Sequence, residues 1–522
     1  MGNKTKRILE NLETNKYRTV MEGVGVGVLT GLTVSFFRLS LQKAESFRGS
    51  VLRGIESDGM QGLLWALVLL AAAYVIVWFC SRKVPLCGGS GIPQVKGELL
   101  GKIEQNWWQV LLAKYFGGVA AIGAGLSLGR EGPSIQLGAM VGKGFSRLTG
   151  TLRTEEKLLM TCGAGAGLSG AFCAPLAGVV FTLEELHKNF STEILLATMA
   201  ASVASDFVSS YLFGLEPVFG IHVESKLPLS HYWQLIILGI LLGCLGVFYN
   251  WTTARVQEFY DKIPRKSLKV AMPFAAVVLL AACYPIVLGS GHELVGETAE
   301  GQFMLHTLAV LLVVKFFYSI FCFGSGVPGG IFLPLLVLGS LSGGLFATLM
   351  EQFAGNDSIY MANFVILGMT GLFASIVRAP ITGVILITEM SGDFKNFLPL
   401  AVIALIAYVT ADLLHGEPIY DQLLDRMLSG GKKHGTSKET KNQKVLLESQ
   451  VYIGSRMDGE KIEKMLLPKG CLVVSVQREK KEIVPSGSTV LQGGDKLILL
   501  CSQGDVHIVE EKLTNICKTI KF

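Results

Sequence analysis

Apolar runs about as long as a lipid bilayer is thick recur along this chain, and they restrict what it can fold into. A helix needs about 20 such residues to cross the hydrocarbon core, where no backbone polar group can be left unpaired. Half of the chain (50%) is hydrophobic and only 17% is charged. The runs are Gly62–Cys80, Trp107–Gly129, Trp233–Tyr249, Val270–Leu288, Phe303–Phe323, Ile331–Leu349 and Leu398–Leu414. The pattern predicts an all-α polytopic membrane protein.

Glycine and charge refine this prediction. The chain has 61 glycines, many of them inside apolar runs, which favours closely packed or interrupted membrane helices. The segment Met1–Arg18 is polar and basic and has no features of a cleavable signal, so we expect the amino terminus in the cytoplasm. A net charge of +5 is too mild to indicate nucleic-acid binding.

Cysteine and histidine spacing gives no sign of a metal site. Ten cysteines are scattered without paired ligand spacing, and the eight histidines form no cluster. The cysteines are typical of small buried apolar residues in a reducing compartment. We therefore expect neither a metal nor another cofactor.

Composition changes near Leu428. Charged residues are about twice as frequent after this position as before it, and residues 429–444 are rich in glycine, lysine and serine. We expect a membrane domain over residues 1–428, a flexible basic linker over 429–444 and a cytoplasmic domain over 445–522.

The last segment has the pattern of a small α+β domain. Alternation predicts strands at Val445–Ile453, Cys471–Gln477 and Lys496–Cys501. Helical spacing appears at Gly459–Leu466 and Asp505–Ile516. A domain of about 75 residues is marginal alone, so we expect it to pair with a second copy.

The membrane segment contains an internal repeat. Ala174–Val179 leads to Glu184, and Ala379–Val384 leads to Glu389, each 205 positions later. Gly89–Pro93 also resembles Gly324–Pro328 in spelling. Paired halves with interrupted helices are typical of transporters that bind their substrate near the bilayer midplane.

Two charged residues interrupt an otherwise uncharged stretch. Arg130 and Glu131 lie in Gly129–Pro133, with no other charge between Lys114 and Lys143. A carboxylate at membrane depth is costly and indicates a partner, a watery cavity or a function. Glycine and proline around it expose backbone N–H groups that suit an anion. The segment predicts an anion pathway with a protonatable gate.

Three further segments share this pairing of glycine and proline at the end of an apolar run. They are Gly89–Pro93, Gly330–Pro334 and Gly416–Tyr420. Free N–H groups and the helix dipole attract an anion at such ends, and the hydroxyls of Ser90 and Tyr420 could add neutral donors. Each segment alone is also consistent with a tight turn. Four in one chain, with Glu131 among them, favour an anion site.

These segments resemble the signature motifs of the CLC family of chloride channels and chloride/proton exchangers. The matching residues, in chain order, are Gly89, Ser90, Gly91, Pro93, Gly129, Arg130, Glu131, Gly132, Pro133, Gly330, Phe332 and Pro334. The resemblance covers roughly residues 20–428. It implies the CLC fold, an inverted repeat of tilted and broken helices, and a homodimer with one pathway per subunit.

The resemblance also implies roles for individual residues. Ser90 and Tyr420 would contact chloride, and the backbone amides of Ile331 and Phe332 would complete its shell. Glu131 would be the external gate, which competes with chloride and takes up a proton when displaced. Members with proline in place of Ser90 prefer nitrate, and fluoride exporters have a different first motif, so we expect chloride here.

Whether the protein exchanges protons depends on Glu185. Glu184 and Glu185 end an apolar run, and the residues alone favour a solvated helix end. The resemblance instead aligns Glu185 with the internal proton-transfer glutamate that exchangers carry. It therefore implies a chloride/proton antiporter, with a passive chloride channel on the same fold as the alternative.

The carboxyl-terminal segment resembles the TrkA-C domain of potassium-uptake regulators. The likeness covers Lys444–Lys518 and is carried by Met457-Asp458-Gly459, Arg478 and the segments Pro485–Gly487 and Gly494–Leu497. It implies a dimerising regulatory domain that binds a small ligand such as cyclic di-AMP, or a purely structural clamp. A domain of this type favours a prokaryotic plasma membrane with both termini cytoplasmic.

A membrane enzyme is the alternative from another class. Gly125–Gly129 has the spelling of a hydrolase nucleophile elbow around Ser127, but it ends an apolar run rather than following a strand. We therefore expect no enzymatic activity.

Overall fold

The computed structural model describes residues 3–151, 153–188, 191–215, 217–221, 223, 225–355, 358–429, 444–465, 467, 470–478, 481–502, 509 and 512–518. The chain divides into two compact units, residues 20–432 and residues 1–19 with 433–522. The predicted linker 429–444 lies outside the described residues except for its two ends.

Seventeen α-helices are found in the described residues before the carboxyl-terminal segment. They are α1 (Asn3–Asp58), α2 (Met60–Lys83), α3 (Ile92–Leu99), α4 (Trp107–Gly123), α5 (Glu131–Thr149), α6 (Arg153–Phe172), α7 (Pro175–Phe181), α8 (Thr192–Phe213), α9 (Tyr232–Asp261), α10 (Lys266–Cys283), α11 (His292–Ala299), α12 (Leu305–Gly324), α13 (Phe332–Ala354), α14 (Met361–Val377), α15 (Pro380–Ser391), α16 (Phe397–Leu413) and α17 (Ile419–Leu428).

Nine helical segments within the described residues are long and apolar enough to cross a membrane. They are Tyr17–Gly54, Met60–Lys83, Thr192–Phe213, Leu229–Asp261, Lys266–Cys283, Leu305–Gly324, Phe332–Ala354, Ser358–Val377 and Phe394–Leu413. Besides these there are helices too short to cross a membrane, such as α3, α7, α11 and α17. This mixture of long and broken helices agrees with the predicted polytopic architecture.

Small residues let neighbouring helices contact one another backbone to backbone. Gly138 of α5 faces Gly163 of α6, and a Cβ on either glycine would overlap the carbonyl oxygen of the other. Gly343 of α13 meets the backbone of Phe364 on α14 in the same way. Close approach of this kind is how membrane helices gain packing energy without a hydrophobic driving force.

The internal repeat is visible as reciprocal capping between the two halves. The Glu389 carboxylate, at the end of α15, accepts hydrogen bonds from the backbone N–H groups of Leu176 and Ala177 at the start of α7 (3.1 and 2.8 Å). The Glu184 carboxylate, just after α7, accepts hydrogen bonds from those of Ile381 and Thr382 at the start of α15 (3.2 and 2.8 Å). Each carboxylate therefore satisfies the free amides of the opposite half.

Two buried lysines mark a second pair of counterparts. Lys114 of α4 donates to the carbonyls of Cys87 and Gly89 (3.0 and 2.6 Å), just before α3. Lys315 of α12 donates to the carbonyls of Val287 and Gly289 (2.8 and 2.7 Å), just before α11.

The structural counterpart of Gly89-Ser90-Gly91 is therefore Gly289-Ser290-Gly291, 200 positions later, rather than Gly324–Pro328. The latter segment contacts Gly89 directly. The two segments of similar sequence are thus neighbouring turns and not counterparts in the repeat.

The carboxyl-terminal segment forms a four-stranded antiparallel sheet in the order β1-β4-β2-β3. The strands are β1 (Lys444–Gln450), β2 (Leu472–Arg478), β3 (Lys481–Ile483) and β4 (Lys496–Ser502). Val445 pairs with Cys501, and Val473 pairs with Leu499. A core that includes Val451, Leu497 and Leu499 lies under the sheet.

Secondary structure in this segment follows the prediction only in part. The three predicted strands are present, and β3 was not predicted. The helix predicted at Gly459–Leu466 is wrong, because the described part holds only a single 3-10 turn at Ile462–Met465. Gly459, with φ of 86°, sits outside helical geometry. Asp505–Ile516 lies partly outside the described residues, and its described end leads into a π-helical turn at Thr514–Lys518.

Candidate anion site

Three glycine-rich segments that are far apart in the sequence meet at one place. The backbone N–H of Gly89 donates to the carbonyls of Gly326 and Val327 (3.2 and 3.0 Å), and the N–H of Gly329 donates to the carbonyl of Gly89 (3.1 Å). Gly129 and Gly330 exchange two backbone hydrogen bonds of 2.7 and 2.8 Å. The three predicted signature segments are thus brought together by direct backbone pairing.

Each of the four predicted segments leads into a helix. α3 begins two residues after Ser90, α5 begins at Glu131, α13 begins at Phe332, and α17 begins one residue before Tyr420. The free N–H groups of a helix's first turn carry a partial positive charge that attracts anions. Backbone amides at these helix starts supply donors without a fixed cationic side chain.

Proline and glycine produce these helix starts. Pro93, Pro133 and Pro334 lie in the first turns of α3, α5 and α13, where a missing N–H costs little. Gly91 has φ of 98°, which a side chain would strain. Gly132 lies directly against the Ser90 hydroxyl, and a Cβ at this position would overlap that oxygen.

The hydroxyls of Ser90 and Tyr420 are buried and lack a hydrogen-bond partner among the described residues. Ser90 is 2% exposed and Tyr420 is 0% exposed. A buried hydroxyl without a partner costs about 1–3 kcal/mol. Two such donors beside these helix starts fit a site whose missing partner is an anion.

Glu131 is fully buried as the first residue of α5. Its carboxylate lies near the backbone amide of Leu333 in α13, but neither oxygen makes a hydrogen bond of good geometry among the described residues. The nearest cationic atom is Nε of Arg130, 3.8 Å from Oε1. The carboxylate therefore occupies the side of the site where the amides of α13 begin.

Ile331 and Phe332 are buried at the start of α13, as the predicted amide donors must be. The Phe332 ring packs against Phe172, Phe181 and Phe373, with centroids 5.5, 6.3 and 4.7 Å apart. This aromatic packing holds the first turn of α13 in place.

Glu185 lies in the π-helical turn Thr182–His187 that follows α7, and it is only 2% exposed. A solvated helix end, favoured by the residues alone, is therefore wrong for this side chain. Its Oε1 accepts a hydrogen bond of 2.7 Å from Nζ of Lys96. The same lysine contacts Asp421, the residue after Tyr420, whereas Glu131 precedes Gly132, which lies against the Ser90 hydroxyl.

Several charged residues near the site are not predicted by any sequence motif. Lys96 and Asp421 contact one another beside Glu185, and Lys114 holds the carbonyl of Gly89 next to Ser90. Lys143 of α5 and Glu98 of α3 form a buried ion pair. The sequence feature that could have revealed them is a lone charge within or beside an apolar run. Lys114, inside Trp107–Gly129, is an example.

The described residues also bear on the hydrolase-like motif around Ser127 and on metal binding. Ser127 is buried between α4 and α5, and its hydroxyl has no hydrogen-bond partner among them, so no base activates it as a nucleophile there. No group of three potential metal-binding side chains occurs among them either. His187, at the end of the π-helical turn, bonds to Thr161.

Comparisons with known proteins cover both parts of the chain. The model of the family described as voltage gated chloride channel matches residues 68–412. The TrkA-C domain model matches residues 446–514.

Individual relatives cover most of the chain. The H(+)/Cl(-) exchange transporter ClcA of Vibrio cholerae serotype O1 (strain M66-2) is 34% identical over 417 residues, which are 78% of this chain and 89% of that protein. ClcA of Salmonella arizonae is 32% identical over 85% of this chain and 94% of that protein.

Solved structures show the same fold. The structure of a slow cyanobacterial Cl-/H+ antiporter superimposes with a TM-score of 0.75 at 31% identity and covers 79% of this chain and 98% of that one. A CLC-type fluoride/proton antiporter shares the fold alone, with a TM-score of 0.65 at 22% identity over 77% of this chain and 97% of that one.

These matches agree with the motifs and with the meeting of the signature segments. The family consists of membrane transport proteins rather than enzymes, and the nine apolar helices fit a multi-pass member. The chain therefore belongs to the CLC family, the voltage gated chloride channel family, and carries a TrkA-C domain.

Proposed function

We propose that the protein is a chloride/proton antiporter. The observation that carries the proposal is a pair of buried hydroxyls without a partner among the described residues, Ser90 and Tyr420, with a buried glutamate beside each. Glu131 precedes Gly132, which lies against Ser90, and Glu185 is linked through Lys96 to Asp421, the residue after Tyr420. An anion site with a titratable group at each end can couple the two ions. The relatives named as H(+)/Cl(-) exchange transporters support the same function.

Chloride is held by neutral donors in this proposal. The hydroxyls of Ser90 and Tyr420 and the backbone amides of Ile331 and Phe332 surround the ion. Neutral donors bind a halide firmly enough to select it and weakly enough to release it. Serine at position 90 favours chloride over nitrate.

Glu131 acts as the gate. As a carboxylate, it is attracted to the amides at the start of α13, near Leu333, and competes there with chloride. Once protonated, it loses that attraction and leaves the place to the anion. Proton uptake by Glu131 and chloride entry are thus coupled, because chloride takes the place that the carboxylate leaves when it is protonated.

Glu185 exchanges protons at the other end of the pathway. It is buried but lies beside Asp421, which is partly exposed and belongs to a different helix. Protons pass between Glu185 and Glu131 across the region of Tyr420. In this proposal protons pass through Glu185 and chloride does not, so the two routes diverge near this residue.

We further propose the assembly and the setting. The protein works as a homodimer with one pathway per subunit, in the plasma membrane of a prokaryote, with both termini in the cytoplasm. The TrkA-C domain regulates transport. The match to that domain specifies no ligand, so cyclic di-AMP stays a prediction from the sequence alone.

Flux measurements in liposomes test the proposal. An imposed chloride gradient should drive protons uphill, which a pH electrode or a pH-sensitive dye records. Chloride flux without any proton movement would instead identify a passive channel. Movement of neither ion by well-folded protein would contradict both functions.

A further inference from the structure

Glu185 belongs to a cluster of four charged residues that runs from the protein interior to its surface. Lys96 of α3 places Nζ 2.7 Å from Oε1 of Glu185 and 2.5 Å from Oδ1 of Asp421 on α17. Lys188 places Nζ 2.7 Å from Oδ2 of Asp421. The order of contacts is therefore Glu185, Lys96, Asp421 and Lys188.

Lys96 is the only cation in this cluster that bonds to Glu185. Its side chain is 5% exposed and that of Glu185 is 3% exposed, whereas those of Asp421 and Lys188 are 32% and 53% exposed. A buried carboxylate without a counter-ion is strongly disfavoured relative to its protonated form. The charge state of Glu185 therefore depends on Lys96.

Asp421 has a separate part in this arrangement. When Glu185 takes up a proton, its pairing with Lys96 weakens, and a buried ammonium would be left without a partner. Asp421 still holds that ammonium, so protonation of Glu185 strands no buried charge. The other face of the π-helical turn meets α6, where Thr161 bonds to His187 and not to Glu185.

We propose that Lys96 is a positioning residue for proton transfer: an ammonium shared between Glu185 and Asp421 that orients Glu185 and sets the pH at which it binds its proton. Glu185 keeps its partner as a carboxylate, and Lys96 keeps Asp421 when Glu185 is neutral. This inference rests on the proposed antiport, because it assigns Glu185 the exchange of protons.

Opposite substitutions should move proton binding in opposite directions. Lys96→Gln removes the counter-ion of Glu185 and should raise its proton affinity by at least about tenfold, in line with the effect of an opposite charge at this distance. Asp421→Asn leaves Lys96 to Glu185 alone and should lower that affinity by about threefold. Lys188→Gln is the matched control, because Lys188 contacts Asp421 but not Glu185, and it should change the affinity by less than about twofold.

The measurement is an infrared titration of the protonated carboxyl band, assigned to Glu185 by its loss in Glu185→Gln. The same variants are reconstituted in liposomes to record proton flux against pH. Equal midpoints for Lys96→Gln and wild type, or an equal shift in Lys188→Gln, would overturn the inference. An upward shift in Asp421→Asn would do so independently, even where Lys96→Gln does not fold.

The two proposals fail in different ways. Wild-type protein that moves no protons contradicts the antiport, while the infrared midpoints still report on Lys96. Intact wild-type coupling with unmoved midpoints contradicts only the shared ammonium.

Discussion

Glu131 begins a helix whose neighbours treat its charged and neutral forms differently. The carboxylate lies near the amide of Leu333 and 3.8 Å from Arg130, and both favour the negative charge. Full burial opposes that charge. A side chain under such opposed influences can change its place when it changes its protonation state.

Replacing Glu131 with glutamine should therefore remove coupling and keep anion movement. Glutamine is neutral at every pH, so it mimics the displaced gate permanently. We expect chloride flux to persist in Glu131→Gln while proton flux falls to background in liposome assays. Proton flux comparable to that of wild type would contradict the gating role.

Replacing Glu185 should separate the two ions in another way. The glutamine in Glu185→Gln cannot exchange protons. Chloride binding should be unaffected, because the Glu185 carboxylate accepts its hydrogen bond from Lys96 and has none with the predicted chloride ligands in the described structure. We expect proton flux to fall at least about tenfold while chloride flux stays within about twofold of wild type.

Glu184→Gln is the control, because the neighbouring side chain bonds to the amides of α15 instead. It should keep both fluxes. Equal loss of both fluxes in Glu185→Gln would contradict its assigned role.

Part of this site could be predicted from the sequence, because its hydrogen-bond donors lie within short contiguous motifs. Ser90 and Glu131 lie in short motifs whose glycines and prolines reveal the helix starts. Lys96 and Asp421 belong to no such motif, and their meeting depends on the packing of α3 against α17. A contact between helices more than 300 positions apart leaves no local pattern to read.

At the scale of the elements, the loops before α3 and α11 are held in the same way by a buried lysine but differ in function. Lys114 and Lys315 are each fully buried and each hold two carbonyls. A serine follows the glycine in both loops, but the candidate site includes only Ser90, whose hydroxyl lies against Gly132 in the first turn of α5. One of the two repeated loops therefore contributes to the anion site, and the other has a structural role.

This asymmetry gives a matched pair of variants. Lys114→Met removes the donor that fixes the carbonyl of Gly89, so Ser90 should be less well oriented. We expect chloride affinity, measured by calorimetry in detergent, to fall by about threefold to tenfold, which corresponds to about 0.7–1.4 kcal/mol. Lys315→Met should leave the affinity within about twofold of wild type.

Thermal melting checks that both variants fold. Each loses buried hydrogen bonds, so both should melt below wild type. Equal losses of chloride affinity in the two variants would contradict a specific link between Lys114 and Ser90.

At the scale of the whole molecule, hydropathy alone predicted the class and missed some spans. The helices Thr192–Phe213 and Ser358–Val377 were absent from the predicted runs. Both begin among polar residues, and the second is largely buried by neighbouring helices rather than facing lipid. The fold of the repeat came from resemblance, because the residues do not reveal how two halves are oriented.

Every residue to which we assign a transport role, from Ser90 to Asp421, lies in the unit of residues 20–432. The carboxyl-terminal segment has a hydrophobic core of its own, which includes Leu499 at 0% exposure. When two units have separate hydrophobic cores, one can be removed without unfolding the other. We therefore expect a chain truncated after Ser429 to keep the proton-to-chloride ratio of the full-length protein.

Turnover is the quantity that should change, because the TrkA-C domain is proposed to regulate rather than to conduct. Leu499→Asp provides the control: it places a charge in the core of the sheet and should unfold that domain within a full-length chain. If regulation depends on the folded domain, both variants should share one altered rate and the wild-type ratio in the liposome assay. A truncated protein that remains monodisperse but loses coupling would place part of the coupling machinery in the carboxyl-terminal domain.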